Sequence, residues 1–146
     1  KIVQKAIWNE KIEIEFESNT NAHRGKIANQ STFSNLYDNK KGVTKTYKVQ
    51  GDTIDSIIKE MPGVDKNINL LYITLSGAEP EAIEGAKETL HSIKPKVWVR
   101  STSTNKIDKK ATSTQLIKKL RLSKYSTRIG RVELNNPARN IFAYPK

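Results

Sequence analysis

The stretch LLYITLSGAEPEAIEGA, residues 70–86, decides the fold that the sequence predicts. Ile68 to Leu75 form a nearly continuous apolar run, which is typical of a strand covered on both faces in a parallel sheet. After a turn, Pro80 can occupy the first turn of a helix that we expect to reach about Ser92. A short strand, Lys96 to Arg100, follows. This order predicts a βαβ unit with parallel pairing, because a crossover of roughly 20 residues is long enough for it.

Residue patterns on either side of this unit predict further elements. Alternation of apolar and acidic residues from Ile12 to Phe16 indicates a strand with one buried face. Gly51 and Asp52 are expected to open a helix, with Asp52 or Thr53 as its N-cap. Residues 18–46 are interpreted as a long polar surface excursion. The other expected elements are a short strand at Thr46 to Val49, the end of the first helix near Met61 to Gly63, a helix at Thr112 to Leu122, and a closing antiparallel pair at Tyr125 to Leu134 and Asn140 to Tyr144.

The composition fits one soluble domain with a modest core, since 36% of the 146 residues are hydrophobic and 28% are charged. The chain has no cysteine, which excludes disulfides, a thiolate nucleophile and thiolate metal sites. With only His23 and His91, a histidine-rich metal cluster is excluded as well. No apolar run approaches the roughly 18 residues of a spanning helix, and the first residues lack the apolar stretch of a signal peptide. We therefore expect a cytoplasmic protein without a membrane partner.

Positive charge is concentrated in residues 101–146, where 11 Lys and Arg stand against 2 Asp and Glu. This basic segment suggests a surface for nucleic acid or another polyanion, although solubility or a lysine-rich solvent face explains the charge equally simply. Only Tyr125 lies near these cations in the sequence, so a platform for stacking single-stranded bases is not indicated. Trp8 and Trp98 have apolar neighbours and are expected in the core. The candidate polyanion-binding residues are Lys109, Lys110, Lys118, Lys119, Arg121, Lys124, Arg128 and Arg131.

Residues 70–86 resemble the hallmark of the FkbM-type family of S-adenosylmethionine-dependent methyltransferases. That hallmark reads approximately Leu-Lys-Ile-Asp-Val-Glu-Gly-Ala-Glu, followed by a helix with Leu/Ile-x-Gly-Ala. The match is carried by residues 77–79, Gly-Ala-Glu, and residues 83–86, Ile-Glu-Gly-Ala. Other segments resemble the family's preceding strand and edge ribbon, its short Thr-Ile/Leu-Asp helix, its next strand and its final strand: Lys5 to Trp8 with Ile12 to Phe16, Asp52 to Ile57, Pro95 to Arg100, and Asn140 to Tyr144.

The resemblance implies an α/β fold. It predicts a partial Rossmann-like methyltransferase sheet, mostly parallel with an antiparallel C-terminal edge, and with helices on its faces. Residues 1–146 would then be a single methyltransferase-like domain that lacks the N-terminal cofactor-binding strands. No Gly-x-Gly-like turn stands between a strand and a helix in this sequence. The implied cofactor is therefore S-adenosylmethionine if the missing N-terminal half is present, and otherwise none.

Three candidate catalytic residues follow from the same alignment with the family hallmark: Glu79, Ser76 and Thr74. Thr74 stands where the family usually has Asp, and Ser76 where it has Glu, so Glu79 alone retains a carboxylate. These positions follow a strand of an open α/β sheet, at the carboxyl end, where ligands bind. A hydroxyl is a poor general base near neutral pH and a weaker ligand for a hard metal than a carboxylate.

Two functions remain open from the sequence. The resemblance implies an O-methyltransferase-like domain acting on a hydroxyl of a glycan-like or small acceptor. The alternative is a non-enzymatic basic module on a reused scaffold, which binds nucleic acid or assembles with a protein partner. Under both readings we expect a homo-oligomer or a partner chain that covers the open edge of the sheet.

Overall fold

The computed structural model describes residues 2–19, 24–27, 44–63, 67–75, 77–101, 112–130 and 138–146. These residues form a mixed α/β fold with two four-stranded sheets and four helices. The strands are β1 (Ala6–Ile7), β2 (Ile12–Asn19), β3 (Arg24–Ile27), β4 (Thr44–Asp52), β5 (Leu70–Ile73), β6 (Lys96–Ser101), β7 (Tyr125–Ile129) and β8 (Arg139–Pro145). The helices are α1 (Ile54–Glu60), α2 (Glu79–Glu84), α3 (Lys87–Ser92) and α4 (Thr112–Leu122).

The first sheet has the strand order β1-β4-β2-β3 and is mainly antiparallel. The strand predicted from the alternation at Ile12 is confirmed as β2, with Ile14 buried as the pattern requires. The polar excursion predicted for residues 18–46 is wrong at its ends, because β2 reaches Asn19 and β4 begins at Thr44, with β3 between them. Backbone pairing has overridden the polar composition there, since β2 and β4 pair along their whole length. The rest of the excursion lies outside the described residues.

The second sheet has the order β5-β6-β8-β7. The predicted parallel pair is confirmed as β5 and β6, and β8 runs antiparallel to both β6 and β7. Three strands of this sheet therefore share one direction. The expectation of a mostly parallel sheet with an antiparallel edge is matched only in part, because β8 lies inside the sheet and the first sheet is mainly antiparallel. The connection from Ile129 to Arg139 is too short for a parallel crossover, so β8 returns beside β7.

The crossover between β5 and β6 contains two short helices in place of the single one predicted. The break falls at Gly85 and Ala86, between α2 and α3. The crossover carries an apolar stripe, and all four of its members are buried: Ala82, Ile83, Ala86 and Leu90. Together with Leu116 and Leu120 of α4, these residues pack on the inner face of the second sheet and form the main core.

Strand β5 is half exposed, although the sequence predicts that both its faces are covered. Ile73 is buried, but Leu70 is 52% exposed and Tyr72 is 49% exposed. Trp98, expected in the core, is 36% exposed on the neighbouring strand, whereas the expectation for Trp8 is confirmed. These two predictions are wrong because the described helices α2, α3 and α4 all pack on one face of the sheet. The side chains that alternate to the other face have no helix over them among the described residues.

Lys5 links helix α1 to the end of β4 through a partly buried pair of ionic contacts. Thr53 is its N-cap, as one of the two predicted alternatives, and its hydroxyl accepts from the backbone N–H of Ser56. Asp52 is buried at the end of β4, and Lys5 Nζ donates to Asp52 Oδ2 at 2.6 Å and to Glu60 Oε2 at 2.9 Å. Burial would raise the pKa of Asp52, but hydrogen bonds led by that of Lys5 outweigh it and hold the pKa below its ordinary value. Asp52 therefore stays ionised where α1 begins.

Candidate functional site

The carboxyl ends of β5 and β6 lie side by side, because Ile73 pairs with Val99. Thr74 follows β5 and is exposed, while Ser101 ends β6 and is buried. This edge is where an open α/β sheet binds ligands, so the structure places Thr74 at the predicted position. Ser76, the second predicted residue, lies outside the described residues.

Glu79 is the first residue of α2 and is fully buried, with 0% of its surface exposed. The chain reaches it through Gly77, whose φ of 108° lies in the region that favours glycine. Ala78 is the N-cap and supplies no side-chain cap. The turn therefore brings Thr74 and Glu79 to the same edge of the second sheet, where Thr74 is exposed and Glu79 is buried. A molecule on the surface can touch the hydroxyl of Thr74, whereas the carboxylate of Glu79 is enclosed in this conformation.

The first sheet covers the turn between β5 and α2. Ala78 is buried in a small apolar cluster with Trp8 and Ile14, against which Leu75 and Val49 also pack. Strands β1 and β4 are thus held against the turn that carries the candidate residues. This second cluster packs the turn between β5 and α2 against the first sheet. The sequence did not predict this contact, because the members of the cluster are far apart along the chain, in residues 6–14, 49 and 75–78.

Gly85 provides the second contact between the crossover and the first sheet. A Cβ at this position would lie 2.3 Å from the carbonyl oxygen of Trp8 and 3.3 Å from Cα of Asn9. The Gly85 carbonyl also accepts from the backbone N–H of Asp55 at 3.0 Å. The sequence identified Gly85 only through the resemblance. In the structure, the absence of its side chain lets α2 end directly against the chain of Trp8.

Asp55 has a role that the sequence reasoning missed. Its carboxylate accepts from the backbone N–H groups of Glu88 and Thr89 at 2.9 and 2.8 Å, and from Thr89 Oγ1 at 2.6 Å. These groups belong to the first turn of α3, whose own N-cap residue, Ala86, makes no side-chain cap. Asp55 therefore caps α3 from a different helix. A helix start without Ser, Thr, Asp or Asn is the sequence signal that could have indicated a cap from elsewhere.

The acidic residues of α2 beyond Glu79 face α4. Lys119 Nζ lies 2.5 Å from Glu84 Oε2, and Lys87 also contacts this carboxylate. Hydrogen bonds from Lys119 and then Lys87 lower the pKa of Glu84. In contrast, burial raises the pKa of Glu81, whose Oε2 has no hydrogen-bond partner among the described residues. Glu84 therefore joins α2 to α4 through an ion pair.

The structure separates the predicted polyanion-binding residues. Lys118 and Arg121 are exposed on α4, while Lys119 beside them is engaged with Glu84. Lys124 is exposed just after α4. Arg128 lies on the opposite face of the second sheet, since its neighbour Thr127 contacts Arg121 of α4 and adjacent strand residues face opposite ways. Lys109, Lys110 and Arg131 lie outside the described residues.

The described residues do not by themselves form a cradle for a nucleotide-like cofactor. The turn after β5 has one glycine, Gly77, and its one carboxylate, Glu79, is enclosed. Two surface recesses of the described residues, one of about 440 Å³ between α1 and α3 and one of about 240 Å³ beside β7 and β8, do not include Thr74 or Glu79. S-adenosylmethionine therefore does not fit the described residues alone. Within the same residues there is no cluster of three or more metal-ligating side chains.

Of the helices in the described part of the chain, none is long and apolar enough to span a membrane.

Comparison with known proteins supports the fold. No family model and no curated protein matches the sequence. A solved structure described as methyltransferase FkbM from Methylobacillus flagellatus KT is similar, with a TM-score of 0.52 and 14% sequence identity. The similarity covers 96% of this chain and 27% of that one, so this chain spans about a quarter of that protein's length. The resemblance seen in the sequence is thus confirmed as a methyltransferase-like fold.

Proposed function

We propose that this chain forms the acceptor side of an O-methyltransferase site, with S-adenosylmethionine held chiefly by residues outside the chain. The acceptor would be a hydroxyl of a glycan-like or other small molecule. The observation that carries the proposal is a methyltransferase-like fold that presents Thr74 at the carboxyl end of β5, next to the enclosed Glu79. The fold alone does not determine the chemistry, so the proposal depends on these residues.

The two described residues have different parts in this proposal. The exposed hydroxyl of Thr74 can both donate and accept a hydrogen bond, which suits contact with an acceptor hydroxyl. Glu79 is enclosed five residues further along the chain, as the first residue of α2. It would act as a positioning residue for the turn, and Ser76 is the third polar group assigned to the acceptor side. S-adenosylmethionine would supply the methyl group from residues beyond those described.

The test is methyl transfer by the native protein isolated from its host, after its intact mass has been measured. With S-adenosylmethionine labelled in its methyl group and a panel of monosaccharides and glycosides, we expect label in an ether on the acceptor. Thr74→Ala is expected to lower this transfer by about 10-fold to 100-fold, the scale of one lost orienting contact. Thr114→Ala, an exposed threonine on α4, is the matched control and should leave transfer unchanged.

Absence of transfer by a native protein larger than this chain, whose mass is 16.5 kDa, would contradict the proposal. Equal activity of Thr74→Ala and Thr114→Ala would remove Thr74 from the acceptor site.

A different observation favours the second function, a basic module that binds a polyanion. The outer face of the second sheet carries cations and aromatic side chains that the sequence reasoning did not connect.

A further inference from the structure

One face of the second sheet presents a row of aromatic side chains across three strands. Tyr72 of β5 pairs with Trp98 of β6, which pairs with Phe142 of β8, which pairs with Arg128 of β7. The rings are in contact, with centroids 4.6 Å apart for Tyr72 and Trp98 and 5.6 Å apart for Trp98 and Phe142. We call this surface the open face: Leu70, Tyr72, Lys96, Trp98, Arg100, Ser126, Arg128, Asn140, Phe142 and Tyr144.

The aromatic rings on the open face are accessible from outside. Tyr72 is 49% exposed and Tyr144 is 46% exposed, and Trp98 is 36% exposed although it lies on an inner strand. Trp98 Nε1 donates to Asn140 Oδ1 at 3.1 Å, a hydrogen bond that restrains the indole between the tilted rings of Tyr72 and Phe142. A contiguous set of exposed rings of this kind is typical of a binding surface.

The charge of the open face is of one sign. Lys96, Arg100 and Arg128 are exposed on it. None of the strands β5 to β8 contains Asp or Glu, so no acidic side chain of these strands offsets the cations. The whole chain carries a formal net charge of +11. A second copy of the chain would therefore bring like charges together on this face, whereas an anionic partner is attracted to it.

We propose that the open face binds single-stranded nucleic acid. Unpaired bases can stack on the rings of Tyr72, Trp98 and Phe142, because every base has a π-face. The phosphates can pair with Lys96, Arg100 and Arg128 at the margins of the aromatic row. A duplex offers the same phosphates but keeps its bases stacked inside, so the open face selects single strands.

This surface differs from the one expected from the sequence. The sequence predicted a polyanion-binding set of cations between Lys109 and Arg131 with a single nearby aromatic residue, because Tyr72, Trp98 and Phe142 are far apart along the chain. Strand pairing brings them together on the face opposite α4. The proposal does not depend on methyl transfer and can fail or hold separately from it.

The test uses a fluorescently labelled 12-nucleotide oligouridylate and an RNA duplex of the same length, added to the whole chain. We expect tighter binding of the single strand and quenching of tryptophan fluorescence when bases stack on Trp98. Trp98→Phe should abolish this quenching while keeping a ring in place, because the remaining Trp8 is buried in another cluster. Circular dichroism and urea unfolding of each variant confirm that it is folded.

Two matched pairs of variants locate the site. Tyr72→Ala is expected to weaken binding of the single strand by about 5-fold to 100-fold, the effect of losing one base stack. Tyr47→Ala, with the same 49% exposure but on the first sheet, should leave it unchanged. Arg128→Ala should make the slope of log affinity against log salt shallower by about 0.7, whereas Lys118→Ala on α4 should not.

Several results would overturn the proposal. One is no binding of the oligouridylate at about 50 mM salt, where electrostatic binding is strong. Others are equal binding of duplex and single strand, or equal affinities of Tyr72→Ala and Tyr47→Ala for the single strand. Either result would mean that binding depends on charge and not on base stacking. A dimer in light scattering with Trp98 protected from acrylamide quenching would identify a second copy as the occupant. If Tyr72→Ala does not fold, Arg128→Ala serves as the test, because the Arg128 side chain is exposed and its loss should not affect folding. An unchanged salt slope for Arg128→Ala would then overturn the proposal.

Discussion

Gly85→Ala is expected to lower the free energy of unfolding by about 3 kcal/mol. Alanine can adopt the backbone angles of Gly85, φ −76° and ψ 1°, so backbone strain is not the reason for this loss of stability. The new Cβ would lie 2.3 Å from the carbonyl oxygen of Trp8, a backbone atom that cannot turn aside. Either the end of α2 or the strand-to-turn segment at Trp8 has to move. The measurement is urea unfolding followed by circular dichroism.

Gly130→Ala is the control for the Gly85 variant. Its nearest atoms would be Cε2 of Phe142 at 3.1 Å, the far end of a side chain, and Cβ of Asn140 at 3.2 Å, so a shift of a few tenths of an ångström relieves both contacts. We expect a loss below about 1 kcal/mol. Equal losses for the two variants would show that the contact between α2 and the first sheet is looser than the structure describes.

Asp55→Ala is expected to lower the free energy of unfolding by about 2 to 3 kcal/mol. The change removes the cap of α3, which is worth about 0.5 to 2 kcal/mol. It also leaves the hydroxyl of Thr89 without this acceptor although Thr89 is buried, and an unsatisfied buried donor adds about 1 to 3 kcal/mol. Because these groups share one carboxylate, the two contributions do not add fully. Urea unfolding at neutral pH measures the loss.

Two further variants separate the cap of Asp55 from simple loss of charge. Asp55→Asn keeps one side-chain oxygen as an acceptor, so we expect it to recover part of the loss seen for Asp55→Ala. Glu88→Gln removes an exposed carboxylate that pairs with Lys59 at 2.7 Å, and we expect a change below about 0.5 kcal/mol. If Asp55→Ala is no more destabilising than Glu88→Gln, Asp55 acts only as a surface charge.

The elements that depend on local sequence were predicted well. Helix α4 has the predicted bounds, because Leu116 and Leu120 recur at helical spacing. The parallel pair β5 and β6 followed from an apolar run, a helix and a second run, an order that permits few arrangements. The capping role of Asp55 could not be predicted from local sequence, since its hydrogen-bond partners lie 33 and 34 residues further along the chain.

Exposure was the property that the sequence predicted least well. An apolar strand such as β5 is equally compatible with cover on one face or on two, and only the placement of helices decides between them. The same holds for the candidate site, where residue order put Thr74 and Glu79 at one edge of the sheet. Their opposite exposure depends on Trp8 and Ile14 packing against Ala78, contacts between distant parts of the chain.

This chain has a methyltransferase-like fold, and we expect that it does not bind the methyl donor on its own. The decisive measurement is isothermal titration calorimetry of S-adenosylmethionine into the chain. We predict no saturable heat, or a dissociation constant weaker than about 1 mM, because the turn after β5 carries a single glycine and an enclosed carboxylate. A dissociation constant of a few micromolar, about 8 kcal/mol of binding free energy, would contradict the claim and place a donor site within these residues.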